Sequence, residues 1–379
     1  MRGPVAWRNW HQANSAGSAP GSRFEHGLYS DAYVVGDYLT HGPYVVINAL
    51  AFDVHQTGRL GRVATMRVDR FIEPETLQRE VRLGEKTDVS EYHGGGLEDE
   101  IAALLGLALG IRCQAGGMSR SWFLNDDPLG RPIELEPRIP TLPASGRFGP
   151  IVPALTGQRS LDDAAELLEI YPGVSGRNAV ALARAARQYG QAAWVAESDP
   201  NLAWIQLVGA IETAAARWRP PAVSRLDRIA QSWPELFEFL ASLPADRRDA
   251  GAELLAGHVR SQYRFLQFLD RFAPDPPAER PDAWLQVDWS QLQHHLRIVY
   301  DHRSRALHDG TPFPPPMCEP PGWAPGPGKT PAERPPGRAA SAQHGTWLEA
   351  DTPMLLATFE YIARHALVGW WRQLASRSS

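Results

Sequence analysis

Apolar residues recurring at spacings of three and four dominate the second half of the chain. They predict helices over roughly 161–170, 177–197, 201–217, 224–242, 250–271, 290–308 and 353–375, with Ser160 placed to cap the first. No alternating pattern interrupts the series. Leu202 to Ile211 is apolar nearly all round and is expected to be the central, buried helix of a bundle. The first half reads differently. Two β-rich runs, from Tyr44 to Val54 and from Arg62 to Ile72, flank a turn at His55-Gln56-Thr57-Gly58, and in the second run Ala64, Met66, Val68 and Ile72 alternate with Thr65, Arg67 and Asp69. A hairpin is expected. After His93-Gly94-Gly95-Gly96, the positions Leu97, Ile101, Leu104, Leu105 and Ala108 line one face of a helix running to about Ile111. Gly116 to Pro153 reads mostly as loop, with a turn at Asp127-Pro128-Leu129-Gly130.

These patterns predict an α+β chain: a flexible N-terminal lead-in over 1–24, a mixed α+β N-terminal domain over 25–155, and an all-α domain over 160–379. Within the last, residues 312–336 hold eleven of the 33 prolines and are expected to form an extended, mobile connector. A formal net charge of -5 over 379 residues leaves no global basic field, so any nucleic-acid site must be local. The two cysteines, Cys113 and Cys318, are too far apart in sequence to suggest a disulfide framework or a zinc site, which suits a reducing cytoplasm. The longest apolar run, Ile101 to Ile111, is too short to span a bilayer and is not N-terminal. A cytoplasmic protein without a membrane partner is expected.

The chemistry concentrates near residue 303. Leu292, Leu296 and Val299 form an apolar stripe whose continuation falls on Arg303 and then on Ala306 and Leu307, which aims an always-charged guanidinium inward. Burying it is costly without a carboxylate or a phosphate beside it. Trp204, Val208 and Glu212 share one face of the central helix, so Glu212 is the carboxylate expected to meet Arg303. His308 falls in the last turn before Asp309-Gly310, a helix stop. Arg297 with His302, and Arg338 with His344, repeat the spacing but lack an inward arginine beside a helix end. A purely structural Glu212–Arg303 pair, with His308 as a helix cap, fits the same positions.

The run Val299-Tyr300-Asp301-His302-Arg303-Ser304-Arg305-Ala306-Leu307-His308-Asp309-Gly310 resembles the signature of the HEPN superfamily, in particular its Apea-like domains. Leu202 to Glu212 is similar to the helix of that family that carries a glutamate. The resemblance spans about 160–375, and His93 to Pro132 resembles a segment found with such domains in uncharacterised bacterial proteins. Asp309 between His308 and Gly310 departs from the family pattern. The resemblance implies an all-α HEPN-type bundle and a metal-independent RNA endonuclease that acts as a homodimer, in phage defence or stress response. RNA carries its own nucleophile, the 2′-OH, so His308 would serve as acid and base, Arg303 would clamp the phosphate, and Glu212 would orient Arg303. Ser304 and Arg305 would join Arg303 in holding substrate. Five residues turn an ideal helix by about 140°, so Arg303 and His308 do not share a face without fraying at the helix end or help from a second protomer. The alternative is a non-catalytic interaction or nucleotide-sensing module with an unknown partner protein.

Other motifs are weaker. His93-Gly94-Gly95-Gly96 is like an esterase oxyanion loop, but no Gly-x-Ser-x-Gly elbow accompanies it. Gly326-Pro327-Gly328-Lys329-Thr330 mimics the end of a P-loop, yet Trp323 stands where the first glycine belongs. His26, His41, His55, His294 and His295 lack metal-ligand spacing, so neither a metal nor another cofactor is expected. Most of the 13 tryptophans, such as Trp370 and Trp371, are expected to pack rather than stack bases.

Overall fold

The computed structural model describes residues 2–15, 21–49, 60–72, 86–122, 127–133, 140–142, 149–322, 330–337, 339–342 and 344–376. The class is α+β. Two compact units divide the chain: Met1–Ala144, Pro153–Val195 and Trp370–Ser379 form unit 1, while Ser145–Val152 and Ala196–Gly369 form unit 2.

The strands of unit 1 are β1 (Ser22–Ser30), β2 (Tyr33–Val35), β3 (Tyr38–His41), β4 (Tyr44–Asn48), β5 (Gly61–Phe71), β6 (Gln114–Ser121), β7 (Arg131–Pro132) and β8 (Gln158–Ser160). Six of them make an antiparallel sheet of order β3-β4-β5-β1-β6-β7, and β2 pairs with β8 in parallel. The expected hairpin is β4 on β5, with Tyr44 opposite Val68 and Ile47 opposite Thr65. Its turn, and residues 51–54, lie outside the described residues. Ala64, Met66 and Val68 are buried as the alternation requires, and Thr65, Arg67 and Asp69 take the other face. The stretch from Gly116 read as loop begins inside β6, whose glycines hide a strand that β1 recruits through Leu28 opposite Ala115.

Four helices complete unit 1: α1 (Val5–Ser15), α2 (Leu97–Leu109), α3 (Ala165–Ile170) and α4 (Gly176–Val195). The lead-in expected over 1–24 is therefore wrong for its described part. Ala6, Trp7, Asn9 and Ala13 of α1 are buried, and Trp7 Nε1 donates to the carbonyl of Val174 at 2.9 Å. The expected helix from Leu97 is α2, ended by Gly110 at φ 66°, where a left-handed backbone favours glycine. The compact units also fall differently from a boundary near 160. Ala179, Val180, Ala183 and Ala186 give α4 a flat buried face that packs on α2, so α4 belongs with the sheet. Ser160 caps a short 3-10 turn that leads into α3, its Oγ accepting from the amide of Asp162.

Glu100, on α2, organises the buried side of α1. Its carboxylate accepts from the amides of Ala6 at 2.7 Å and Trp7 at 3.1 Å and from the Tyr171 hydroxyl at 2.7 Å. A helix starts with amides that have no partner within it, and here a carboxylate from another helix satisfies two of them. His93 Nε2 lies 3.5 Å from the same carboxylate. Burial pushes Glu100 up to about 7, against the pull of its hydrogen bonds, and burial with the Arg187 charge holds His93 down at about 4.

Unit 2 contains α5 (Pro200–Trp218), α6 (Arg225–Ser232), α7 (Pro234–Ala241), α8 (Ala245–Leu255), α9 (Arg260–Phe272), α10 (Leu292–His308) and the first part of α11 (Leu356–Ser376). The segment 224–242 splits at Trp233, because the residue before Pro234 avoids helical backbone while proline suits a first turn. The segment 250–271 splits at 256–259. A hairpin of β9 (Ala339–Ala342) and β10 (Gly345–Leu348) corrects the expectation that no strand follows residue 160. Helix α5 is central as expected: the Trp204 ring stacks on Phe313 at 5.0 Å and on Phe359 at 4.9 Å. Phe313 thereby corrects the mobile connector expected over 312–336 for its described part from 312 to 322. Phe313 and Met317 are buried, Pro315–Cys318 forms a 3-10 helix, and Met317 offers its carbonyl to Trp204 Nε1 at 3.3 Å. Prolines stiffen this segment, and its apolar residues fasten it. Trp323 and the P-loop mimic up to Lys329 lie outside the described residues. Among the described residues no helix is long and apolar enough to cross a membrane.

Candidate functional site

The expected carboxylate–guanidinium pair is formed. Arg303 Nη2 of α10 donates to Glu212 Oε2 of α5, and the Tyr300 hydroxyl donates to Glu212 Oε1 at 2.8 Å. Glu212 thus holds two side chains that lie one turn apart on α10. Tyr300 was not among the expected site residues, although its position three before Arg303 places it on the same face. The guanidinium carbon of Arg303 sits 5.6 Å from the Tyr300 ring centroid, and Phe265 of α9 lies against that ring at 5.1 Å. Ser261 also hydrogen-bonds the Tyr300 oxygen. Burial and the Glu212 charge raise the Tyr300 pKa, which keeps its hydroxyl a donor.

The pair is partly buried: the side chains of Arg303 and Glu212 retain 19% and 20% of their exposure. Arg303 Nε is buried and has no hydrogen-bond partner among the described residues. A carboxylate that bridges Tyr300 and Arg303 ties α5 to α10. Because water still reaches the pair, Glu212→Gln is expected to lower stability by about 1–2 kcal/mol, less than the loss of a fully buried partner. Denaturant unfolding of the full chain measures this, and an unchanged midpoint would show that the pair does not support the bundle.

The rest of the motif diverges. Helix α10 stays regular to its end, where the Arg305 carbonyl accepts from Asp309 at 2.9 Å and Gly310 turns away at φ 68°. The Asp309-Gly310 stop is therefore as expected. His308 is exposed, and about 140° of helix rotation separates it from Arg303. Arg305 is also exposed and Ser304 is partly so, and neither contacts Glu212. Leu307, expected on the buried stripe, is 48% exposed, since the core contacts of α10 end near His302. One chain therefore brings Glu212, Arg303 and Tyr300 together and leaves His308 apart.

His302, set aside in sequence because Arg297 is not an inward arginine beside a helix end, is the buried histidine of α10. Its Nε2–H donates to the carbonyl of Asp351 at 2.7 Å, and its ring lies 5.8 Å from Phe313. Burial lowers its pKa, so it stays neutral and structural. Among the described residues no group of three or more His, Cys, Asp or Glu could hold a metal ion. No protein-family model, curated protein or solved structure matches this chain.

Proposed function

We propose that unit 2 is a metal-independent endoribonuclease that works as a homodimer, with Arg303 of one copy holding a phosphate and His308 of the other moving the protons. The observation that carries this reading is the anchoring of Arg303 by Glu212 on a regular helix whose last turn leaves His308 exposed. Guanidinium and imidazole then meet only across two copies, as an isologous interface allows. The Arg303 side chain keeps 19% of its exposure beside the Glu212 contact, which leaves guanidinium donors for a phosphate oxygen. In the reaction the 2′-oxygen attacks phosphorus and the bond from phosphorus to O5′ breaks. His308 takes the 2′-hydroxyl proton as base and hands it to O5′ as acid, which leaves a 2′,3′-cyclic phosphate and a 5′-hydroxyl. The free state of Cys113 and Cys318 fits work in the cytoplasm.

A second reading, a non-catalytic interaction or nucleotide-sensing module, draws on one observation: Glu212 already counters the Arg303 charge. Single-stranded RNA incubated with the full chain in chelator separates the two. Cyclic-phosphate ends, blocked by a 2′-deoxy substitution at the cut site, support the nuclease. Intact RNA supports the module.

A further inference from the structure

On the solvent side of α9 lies a basic cluster that the site above does not use. Residues 217–228 and 260–271 together hold seven arginines but only two carboxylates, Asp227 and Asp270, in a chain whose net charge is -5. Four of the arginines converge. Arg260 and Arg264 stand one turn apart on α9. From α6, the Arg228 guanidinium carbon lies 5.6 Å from the ring centroid of Tyr263, the neighbour of Arg264. One turn further along, Gln267 Nε2 donates to Gln231 Oε1 at 2.9 Å, which keeps α6 and α9 in step.

Arg219 approaches from the end of α5, where Trp218 packs edge-on against Phe268 at 6.1 Å and Phe272 at 5.5 Å. Its backbone takes a positive φ of 60°, where the chain leaves the end of α5. Burial and then the charges of Arg260, Arg228 and Arg219 hold Arg264 below the usual arginine range. Among the described residues none of the four forms an ion pair or donates to a carboxylate, and Arg228 Nε is buried without a partner. Asp227, the nearest acid in sequence, accepts from the Ser224 hydroxyl at 2.6 Å.

Asp227 acts on the Tyr263 ring and Asp301 accepts from Gln262 of α9, yet neither pairs with the four arginines, and like charges gathered without ion pairs favour an anion with several negative groups spaced along it. From this arrangement we infer that Arg219, Arg228, Arg260 and Arg264 form a binding site for the phosphate backbone of single-stranded RNA. The identity of the polyanion rests on the nuclease reading, and the basic cluster does not. Guanidiniums suit phosphate through paired donors, and Tyr263 beneath Arg228 keeps one of them in place. The cluster carries no base-reading geometry, so it holds substrate without regard to sequence.

The test is the salt dependence of binding by the full chain to a single-stranded 2′-O-methyl RNA, which offers no free 2′-hydroxyl for attack. Each phosphate neutralised on a single strand contributes about 0.7 to the slope of log affinity against log salt, so Arg260→Gln with Arg264→Gln should flatten it by about 1.4. Affinity at low salt should fall roughly tenfold, while the matching pair of lysine substitutions keeps the slope. Melting curves of both double variants establish equal folding. An unchanged slope in the glutamine pair, no binding by the parent, or displacement by polyglutamate as readily as by RNA would each overturn the inference; the last would assign the cluster to acidic proteins. Binding through Arg260 and Arg264 with unmodified RNA left intact would sink the nuclease alone. Cleavage with an unchanged slope would sink the arginine site alone.

Discussion

His308→Ala is expected to reduce RNA cleavage by a factor of about 10²–10⁴, the contribution typical of a positioned acid–base group, while the fold stays intact. The side chain is exposed on the last turn of α10 and makes no hydrogen bond, ion pair or ring contact among the described residues, so its truncation opens no cavity. Exposed positions of this kind change stability by within about 0.5 kcal/mol. Parent cleavage should persist in chelator, because the proposed chemistry moves protons through imidazole and balances phosphate charge through guanidinium. The comparison requires parent and variant of equal purity and equal melting temperature. Equal rates for the two would assign cleavage to another site or to a contaminant, and the interaction-module reading would take its place.

The second large effect belongs to unit 1. Glu100→Ala removes the acceptor for the amides of Ala6 and Trp7 and for the Tyr171 hydroxyl, all in a dry interior, and is expected to cost about 3–5 kcal/mol. Helix α1 should loosen first, which hydrogen exchange at residues 5–15 would report. Glu100→Gln asks a subtler question through pH. The Glu100 pKa is raised from 4.5 to about 7, so between those values the folded state keeps a proton that the unfolded chain releases, and this group's contribution to stability falls as pH rises. The His93 pKa is lowered from 6.5 to about 4, so its contribution is present above 6.5 and is lost as pH falls towards 4. In the parent the two slopes oppose each other. In Glu100→Gln the His93 slope stands alone, and stability should rise with pH across that window more steeply than in the parent. Identical slopes would mean that Glu100 and His93 do not titrate as this environment requires.

Much of this arrangement was legible in the residues. The period-two run from Ala64 to Val68 marked a half-buried strand, and the spacing of Trp204, Val208 and Glu212 against Leu296, Val299 and Arg303 predicted a contact across 91 positions that the fold makes. Such patterns are readable because each side chain's face follows from the period of its own element. What escaped notice depends on partners far away in sequence. Helix α1 is short, and the carboxylate that caps it sits on α2. Strand β6 contains two glycines and exists because β1 offers it a ladder. Phe313 lies in a proline-rich segment that looked free, yet it covers Trp204. The arginine cluster escaped for the same reason, since its four residues come from α6, α9 and the end of α5, whose alignment no local pattern encodes.

The central claim is that the reactive site draws Arg303 from one copy and His308 from another. Mixing Arg303→Ala with His308→Ala tests it most directly. Each variant alone should be inactive, but random exchange of subunits makes half of the dimers mixed, and each mixed dimer regains one complete site of two, so about a quarter of parental RNA cleavage should return. Activity that stays at the level of the separate variants, in a mixture shown to exchange subunits, would contradict the shared site.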